Sequence, residues 1–326
     1  RRFPACRTCG VIAQEYSMIC LINEFKKIWN VKTIIILTLI LAIINIIYVG
    51  AEGTNSKSDW KSVAKENRQL DEEYLKEFES FEEYDQTDYE LYQKTVDDIT
   101  IIDYSLENDI PYGNYSAWDH ILNVQNLVML FVLILLIYGC KIVGCEYDCG
   151  TWKNVLMHCQ KRNRIIITKI VYAIIQTFLL VIFVHIIGLI IGSICYGNLA
   201  DISQLTVSNG NVLSISVLPE ILRSMVLIFI QACFFIFTGF LINMLTGKSR
   251  TALIISFALL VFSGNIENLV EKVSFHKLLP FYWMNKTDYS LSASGEWISF
   301  LITMIVYIII LVAADILIFN KKGEVS

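Results

Sequence analysis

The 326-residue chain is 55% hydrophobic and 17% charged, whereas a soluble globular chain carries about a quarter charged residues, so the composition calls for a bilayer. Of its 31 acidic residues, 19 fall in residues 51–120 with only 6 of the 26 Lys and Arg, giving that segment about −13 and the remainder about +8. This split separates one acidic, water-facing segment from basic membrane-flanking loops and argues against nucleic acid as a partner.

The chain opens on Arg1, and residues 1–17 read as an upstream segment ahead of Met18. From there Ile19, Ile22, Phe25, Ile28 and Trp29 alternate with Glu24, Lys26 and Lys27 at helical spacing, the pattern of an amphipathic helix lying in the membrane interface. No cleavable leader is expected, because the first apolar run is preceded by mixed sequence and is too long for an h-region.

A spanning helix needs roughly 20 apolar residues, and the candidates in chain order are 31–50, 121–143, 165–196, 220–246, 251–270 and 297–319. The fifth is the weakest, since its apolar run ends at Ser263-Gly264-Asn265, and a short or broken helix is expected there. The fold class is therefore an all-α polytopic membrane protein with six transmembrane helices, an N-terminal interfacial helix and a small helical extracellular domain between helices 1 and 2. Its organisation is residues 18–50 for the interfacial helix and first span, 51–120 for the acidic domain, 121–319 for the remaining spans, and a tail at 320–326.

Lys26, Lys27 and Lys32 before the first span and Lys321 and Lys322 after the sixth place both termini in the cytoplasm by the excess of basic residues in cytoplasmic loops. Lys153, Lys161, Arg162 and Arg164 after span two, with Lys248 and Arg250 after span four, support the same topology. Within the acidic segment, Leu70, Tyr74, Phe78 and Phe81 recur on one helical face, read as the core of a small helical domain. Between the fifth and sixth spans, Leu278, Leu279, Phe281, Tyr282 and Trp283 around Pro280 read as an interfacial, aromatic-belt segment.

Seven of the nine cysteines lie in the N-terminal stretch or near one loop and none lies in the acidic segment, which argues against a disulfide-stapled outer domain. Cys145, Cys149, Cys159 and His158 match no standard zinc-finger spacing, and no metal site is assigned. Thr246-Gly247-Lys248-Ser249 looks like the end of a phosphate-binding loop, but Ile242 stands where the first glycine is required and an apolar span precedes it. A tight turn with a topology-setting lysine is the expectation, and neither an ATP site nor a catalytic arrangement such as HExxH or GxSxG is visible in the chain.

The stretch from Glu146 to Lys169 carries the functional signal. Gly150 breaks the chain after span two, Thr151 caps a short helix from Trp152 to His158, and basic residues lead into span three, forming a stiff cytoplasmic knob at 144–164. Glu146, Gly150, Thr151, Val155, Leu156, Arg162 and Lys169 stand in a pattern that resembles the permease subunits of the ABC-2 class of ATP-binding-cassette transporters, with Cys159 in place of a common Pro and Thr168 of a common Gly. The resemblance runs from Met18 through the amphipathic entry helix, the large outer segment and six spans. Bacitracin and lantibiotic immunity permeases and phenol-soluble modulin exporters are similar.

The resemblance implies that the knob, with Trp152, docks on a separate cassette ATPase subunit, which supplies ATP and magnesium, and that two permease subunits form one pathway in a bacterial cell membrane. The cargo it implies is an amphipathic or hydrophobic peptide or an antimicrobial, for which an acidic outer segment would suit cationic peptides. Sodium or small-drug efflux, or a membrane receptor without transport, are the alternatives. Polar residues within spans are costly in lipid and tend to face a bundle interior or cavity, which makes Asn45, Gln125, Asn126, Gln176, His185, Gln231, Asn243 and Asp315 functional candidates; Gln176, His185, Gln231 and Asn243 are the candidate translocation path. Asp315 is read as an interfacial acid, roughly 9 Å along its helix from Lys321 and paired with cytoplasmic cations.

Overall fold

The computed structural model describes residues 31–52, 60–78, 86–110, 112, 116–124, 127–148, 162–196, 203–208, 210–270, 274–284, 286, 291 and 295–322. The segment expected as an N-terminal interfacial helix falls outside the described residues. The elements in order are α1 (Val31–Glu52), α2 (Trp60–Phe78), α3 (Gln86–Glu107), α4 (Ala117–Val124), α5 (Val128–Asp148), α6 (Arg162–Tyr196), β1 (Ser203–Ser208), β2 (Asn211–Ser216), α7 (Leu218–Thr246), α8 (Ser249–Val261), α9 (Ser263–Val270), two 3-10 turns (His276–Leu278 and Pro280–Trp283) and α10 (Trp297–Lys322).

Four helices are long and apolar enough to cross a membrane, within α1, α6, α7 and α10, and two shorter apolar helices lie at Met129–Gly144 and Ser249–Val261. The protein is thus a predominantly helical membrane protein. α6, at 35 residues, is about 52 Å long, well beyond the roughly 30 Å hydrocarbon layer, so it tilts or projects from the bilayer. α8 has 13 residues, about 20 Å, and α9 begins directly after its cap at Phe262, which is the broken fifth segment expected from Ser263-Gly264-Asn265. The stretch expected as one second span is divided between α4 and α5.

The chain forms two compact units. The larger comprises the described residues up to Thr38, Leu127–Val184 and Met225–Ser326; the smaller comprises Leu39–Asn126 and His185–Ser224. In the larger unit α7 is the central helix: two-thirds of its apolar window is buried, against 11% for α10. Phe237, Phe240 and Met244 of α7 pack with Ile142 and Val143 of α5, Ile165, Ile166 and Tyr172 of α6 and Phe319 of α10. Small residues let α5 close on α7 and α8, since a Cβ at Gly144 would collide with the Ser249 side chain and with Asn243 Nδ2 at 2.8 Å.

In the smaller unit α2 and α3 form an antiparallel helical hairpin. Trp60 and Ala64 at the start of α2 meet Ile102 near the end of α3, while Phe78 at the end of α2 meets Tyr92 early in α3, ring centroids 5.0 Å apart. The described parts of the acidic segment are largely helical, and the buried face of α2 is rotated from the expected stripe. Leu70 is 59% exposed, whereas Trp60, Ala64 and Phe78 are buried, because packing against α3 selects the face of α2 that carries Trp60 and Ala64. Phe81 lies outside the described residues.

An unexpected element completes this unit. β1 and β2 pair antiparallel in the register Ser203↔Ser216 to Ser208↔Asn211, and both strands pack on α3. The turn between them uses Gly210 at φ +76°, the left-handed conformation that glycine adopts without a Cβ clash.

The segment between α9 and α10 also differs from the aromatic-belt expectation. Pro280, Tyr282 and Trp283 are buried while Phe275 and Leu278 are exposed. Trp283 donates from Nε1 to the Lys277 carbonyl at 2.9 Å, and its ring packs edge-on against Tyr282 and near Phe300. It is a core residue because its polar edge finds a backbone acceptor inside the protein.

Candidate functional site

The residues singled out in the loop between α5 and α6 divide by position. Gly150, Thr151, Trp152, Val155 and Leu156 fall outside the described residues, as do the side chains of Glu146 in α5 and Arg162 in α6. The base of the loop is defined. Lys169, about two turns into α6, is 1% exposed and donates from Nζ to the carbonyl of Ile142 on α5 at 3.0 Å.

A buried ammonium is expensive to desolvate, and a hydrogen bond from a charged donor returns about 1.5–3 kcal/mol. The aliphatic stem meanwhile packs among isoleucines at 142, 165, 166 and 170. Lys169 therefore fastens the helix leaving the loop to the helix entering it.

A second tie joins the end of α5 to α8. The backbone N–H of Ser249 donates to Asp148 Oδ1 at 3.3 Å, and the N-cap of α8, Lys248, makes no side-chain cap bond of its own. An acid borrowed from another helix thus satisfies a free N–H and faces the positive end of the helix dipole.

The same turn disposes of the phosphate-loop pattern. Thr246-Gly247-Lys248-Ser249 links α7 to α8 rather than a strand to a helix. Gly247, at φ +67°, donates its N–H to the Asn243 carbonyl at 2.8 Å, which is a helix C-terminal cap.

The four path candidates are placed but not gathered. Gln176, Gln231 and Asn243 are all 2% exposed or less. Gln231 is engaged, donating from Nε2 to the Trp283 carbonyl at 3.2 Å and so pinning the segment between α9 and α10 to α7. Asn243 lies twelve residues further along the same helix, about 18 Å away, with neither amide atom hydrogen-bonded, and Gln176 on α6 is likewise without a partner. His185 is half-buried nine residues beyond Gln176, about 13 Å along α6, and belongs to the other compact unit.

Asn45, one of the polar residues expected within the spans, makes a polar joint in the smaller unit with His120, which nothing in the sequence singles out. Asn45 on α1 donates from Nδ2 to the Leu41 carbonyl at 2.8 Å, so its Oδ1 faces His120 Nε2 at 3.1 Å and the histidine carries its proton on that nitrogen. Tyr48 and Tyr196 flank the imidazole. Gly192 on α6 admits α4, since a Cβ there would sit 3.1 Å from Ala117 and His120 atoms. His120 lies in mixed sequence ahead of the second apolar run, and nothing local marks it as buried.

Among the described residues no group of three or more His, Cys, Asp or Glu side chains could hold a metal ion. Cys145, Cys149, Cys159 and His158 have their side chains outside them.

With this geometry, the comparisons with known proteins place the chain. The family described as "Protein of unknown function (DUF2705)" matches residues 91–323. The chain belongs to that family. The match takes in α4 to α10, the loop at 144–164, all four path candidates and Asp315, and leaves out α1 and α2. The chain is also 28% identical over 144 residues to "Uncharacterized protein YhcI" of Bacillus subtilis (strain 168). That alignment spans 44% of this chain and 42% of the relative, less than half of either.

Proposed function

We propose that the chain is the permease subunit of an ATP-driven exporter, coupled to a separate cassette ATPase through the cytoplasmic loop at 144–164. The observation that carries this reading is the Glu146, Gly150-Thr151, Val155-Leu156, Arg162, Lys169 pattern set between two apolar helices whose bases are tied together. Because Lys169 bonds the Ile142 carbonyl and Asp148 caps α8, a push on the loop is passed to α5, α6 and α8 together rather than absorbed by one helix. The buried face of α5 then carries it to α7.

In this reading six spans cross a bacterial cell membrane with both termini cytoplasmic, and the acidic segment faces outward. Two permease subunits build the pathway, and the ATPase partner holds the ATP and magnesium. The net charge of about −13 over residues 51–120 favours a cationic amphipathic peptide or antimicrobial as cargo, attracted over about a Debye length. Gln176 and Asn243, buried without partners, are the groups on the path best able to change partners as helices shift.

The test is co-purification with a cassette ATPase encoded beside this chain, followed by ATPase assays in nanodiscs. Wild type should retain the ATPase, whereas Gly150→Val with Leu156→Asp should lose it while the chain still inserts and folds. Undiminished binding by the double variant would remove the loop from the coupling role.

A further inference from the structure

α10 turns a broad apolar face outward, with Ile298, Ile302, Ile309 and Leu317 all more than 60% exposed. The residues it buries are Phe300, Met304, Asp315 and Phe319, so its one acid stands on the packed face. Asp315 has no exposed surface, and neither carboxyl oxygen has a hydrogen-bond partner among the described residues. Its surroundings are apolar: Phe319 one turn on belongs to the core cluster, against which Leu311, Val312 and Ile316 also pack.

The expected pairing with Lys321 is not made. Phe319 is buried between the two positions and Lys321 is exposed. Among the described side chains, the charged groups on the elements of this cluster are otherwise occupied or exposed, and its titratable neutral members are Tyr172 and Cys233. Lys169 on α6 donates to the Ile142 carbonyl, Arg164 on α6, Lys141 and Asp148 on α5 and Arg250 on α8 are exposed, and α7 has no charged residue between Arg223 and Lys248.

A bare carboxylate here would carry a desolvation cost of several kcal/mol with no ion pair or donor to offset it. A metal ion needs several oxygens arranged around it, whereas a proton needs one. We propose that Asp315 is a proton-binding site inside the membrane bundle: its carboxyl holds an exchangeable proton while α10 is packed and gives it up when that face of α10 meets water. This goes beyond the exporter reading and does not depend on it.

The experiment uses the full chain in lipid nanodiscs near neutral pH with dicyclohexylcarbodiimide, an apolar reagent that adds to protonated carboxyls, and mass spectrometry of the α10 peptide. The adduct should appear on Asp315, disappear in Asp315→Asn and diminish as pH is raised. Excess sodium should protect it no better than choline at equal ionic strength. Asp315→Asn, which keeps the shape of the neutral acid, should melt no lower than wild type.

Absence of the adduct would overturn the proposal, and so would specific protection by sodium, which would make the site a sodium site. A large loss of stability in Asp315→Asn without labelling of wild type would mean a paired anion. If the variant fails to insert, aspartate-isotope-edited infrared spectroscopy of wild type decides: a carboxylic acid C=O band present near neutral pH that fades as pH is raised while the chain stays folded supports the site, and only carboxylate bands near neutral pH refute it.

Discussion

On the seam of the α2–α3 hairpin, Arg68 holds Asp103 through Nε at 2.6 Å and Glu72 through Nη1 at 2.5 Å, and its partners are all partly open to water. On the packed faces of the larger unit, Gln176, Asn243 and Asp315 stand fully buried without a hydrogen-bond partner. The hairpin tolerates charge because water and counter-charges share the cost. The bundle cannot share it, so each polar group there is costly and is a candidate for a role in moving cargo or protons.

The comparison breaks most severely if the bundle loses an aromatic anchor. Trp283→Ala removes a fully buried indole, leaves the Lys277 carbonyl with only the longer Thr303 hydroxyl bond among the described residues and loosens the segment that Gln231 pins. The expected cost is about 3–5 kcal/mol, read as a lower unfolding temperature in detergent. It should also bring rapid hydrogen exchange across 274–284 with the α2–α3 amides unchanged.

A smaller effect of opposite sign is expected in the hairpin. Burial raises the Asp98 carboxyl to about 6, with Lys94 opposing and Asp71 and Asp97 adding to the rise; burial also raises Asp71 and Asp97. The folded state binds this proton more tightly than the unfolded chain, whose aspartate titrates near 3.8. Stability therefore increases as pH falls from about 6 toward 4, and above that window the full penalty of the buried anion is present. Asp98→Asn should stabilise the α2–α3 amides by about 1–2 kcal/mol at pH 7 and flatten their dependence between pH 4 and 6. Hydrogen exchange on the full-length protein measures both.

How much of this was legible in the sequence follows the same division. The long helices are visible because hydrocarbon demands an unbroken apolar run: 297–319 was expected and α10 spans Trp297–Lys322, and 220–246 was expected and α7 spans Leu218–Thr246. The strand pair at 203–216 carries a strong turn signal, Asn209-Gly210 between Thr206-Val207 and Val212-Leu213, yet its strands are short and polar and do not show in a pattern of long apolar runs. Leu70 was placed on the seam because periodicity within one helix cannot say which partner helix selects the face.

In the candidate site, Lys169 was legible by its place in the pattern, but its bond to Ile142 depends on a helix crossing 27 residues away in sequence. Asp315 was read as interfacial because its distance from Lys321 is fixed by the helix rise, whereas its burial depends on Phe319 and the helices it packs against.

The smallest effect sharpens the contrast from the hairpin side. Arg68→Ala deletes both ion pairs of the seam, yet the guanidinium is about a third exposed and Asp103 and Glu72 are more so, leaving each acid hydrated once its partner is gone. The loss should be below about 1 kcal/mol and shrink as salt is raised, measured as hydrogen exchange of α2 and α3 at two ionic strengths. A loss of several kcal/mol, insensitive to salt, would mean that water does not share the cost in the hairpin. The unpaired groups of the bundle would then differ from it only in lacking a partner, not in their surroundings.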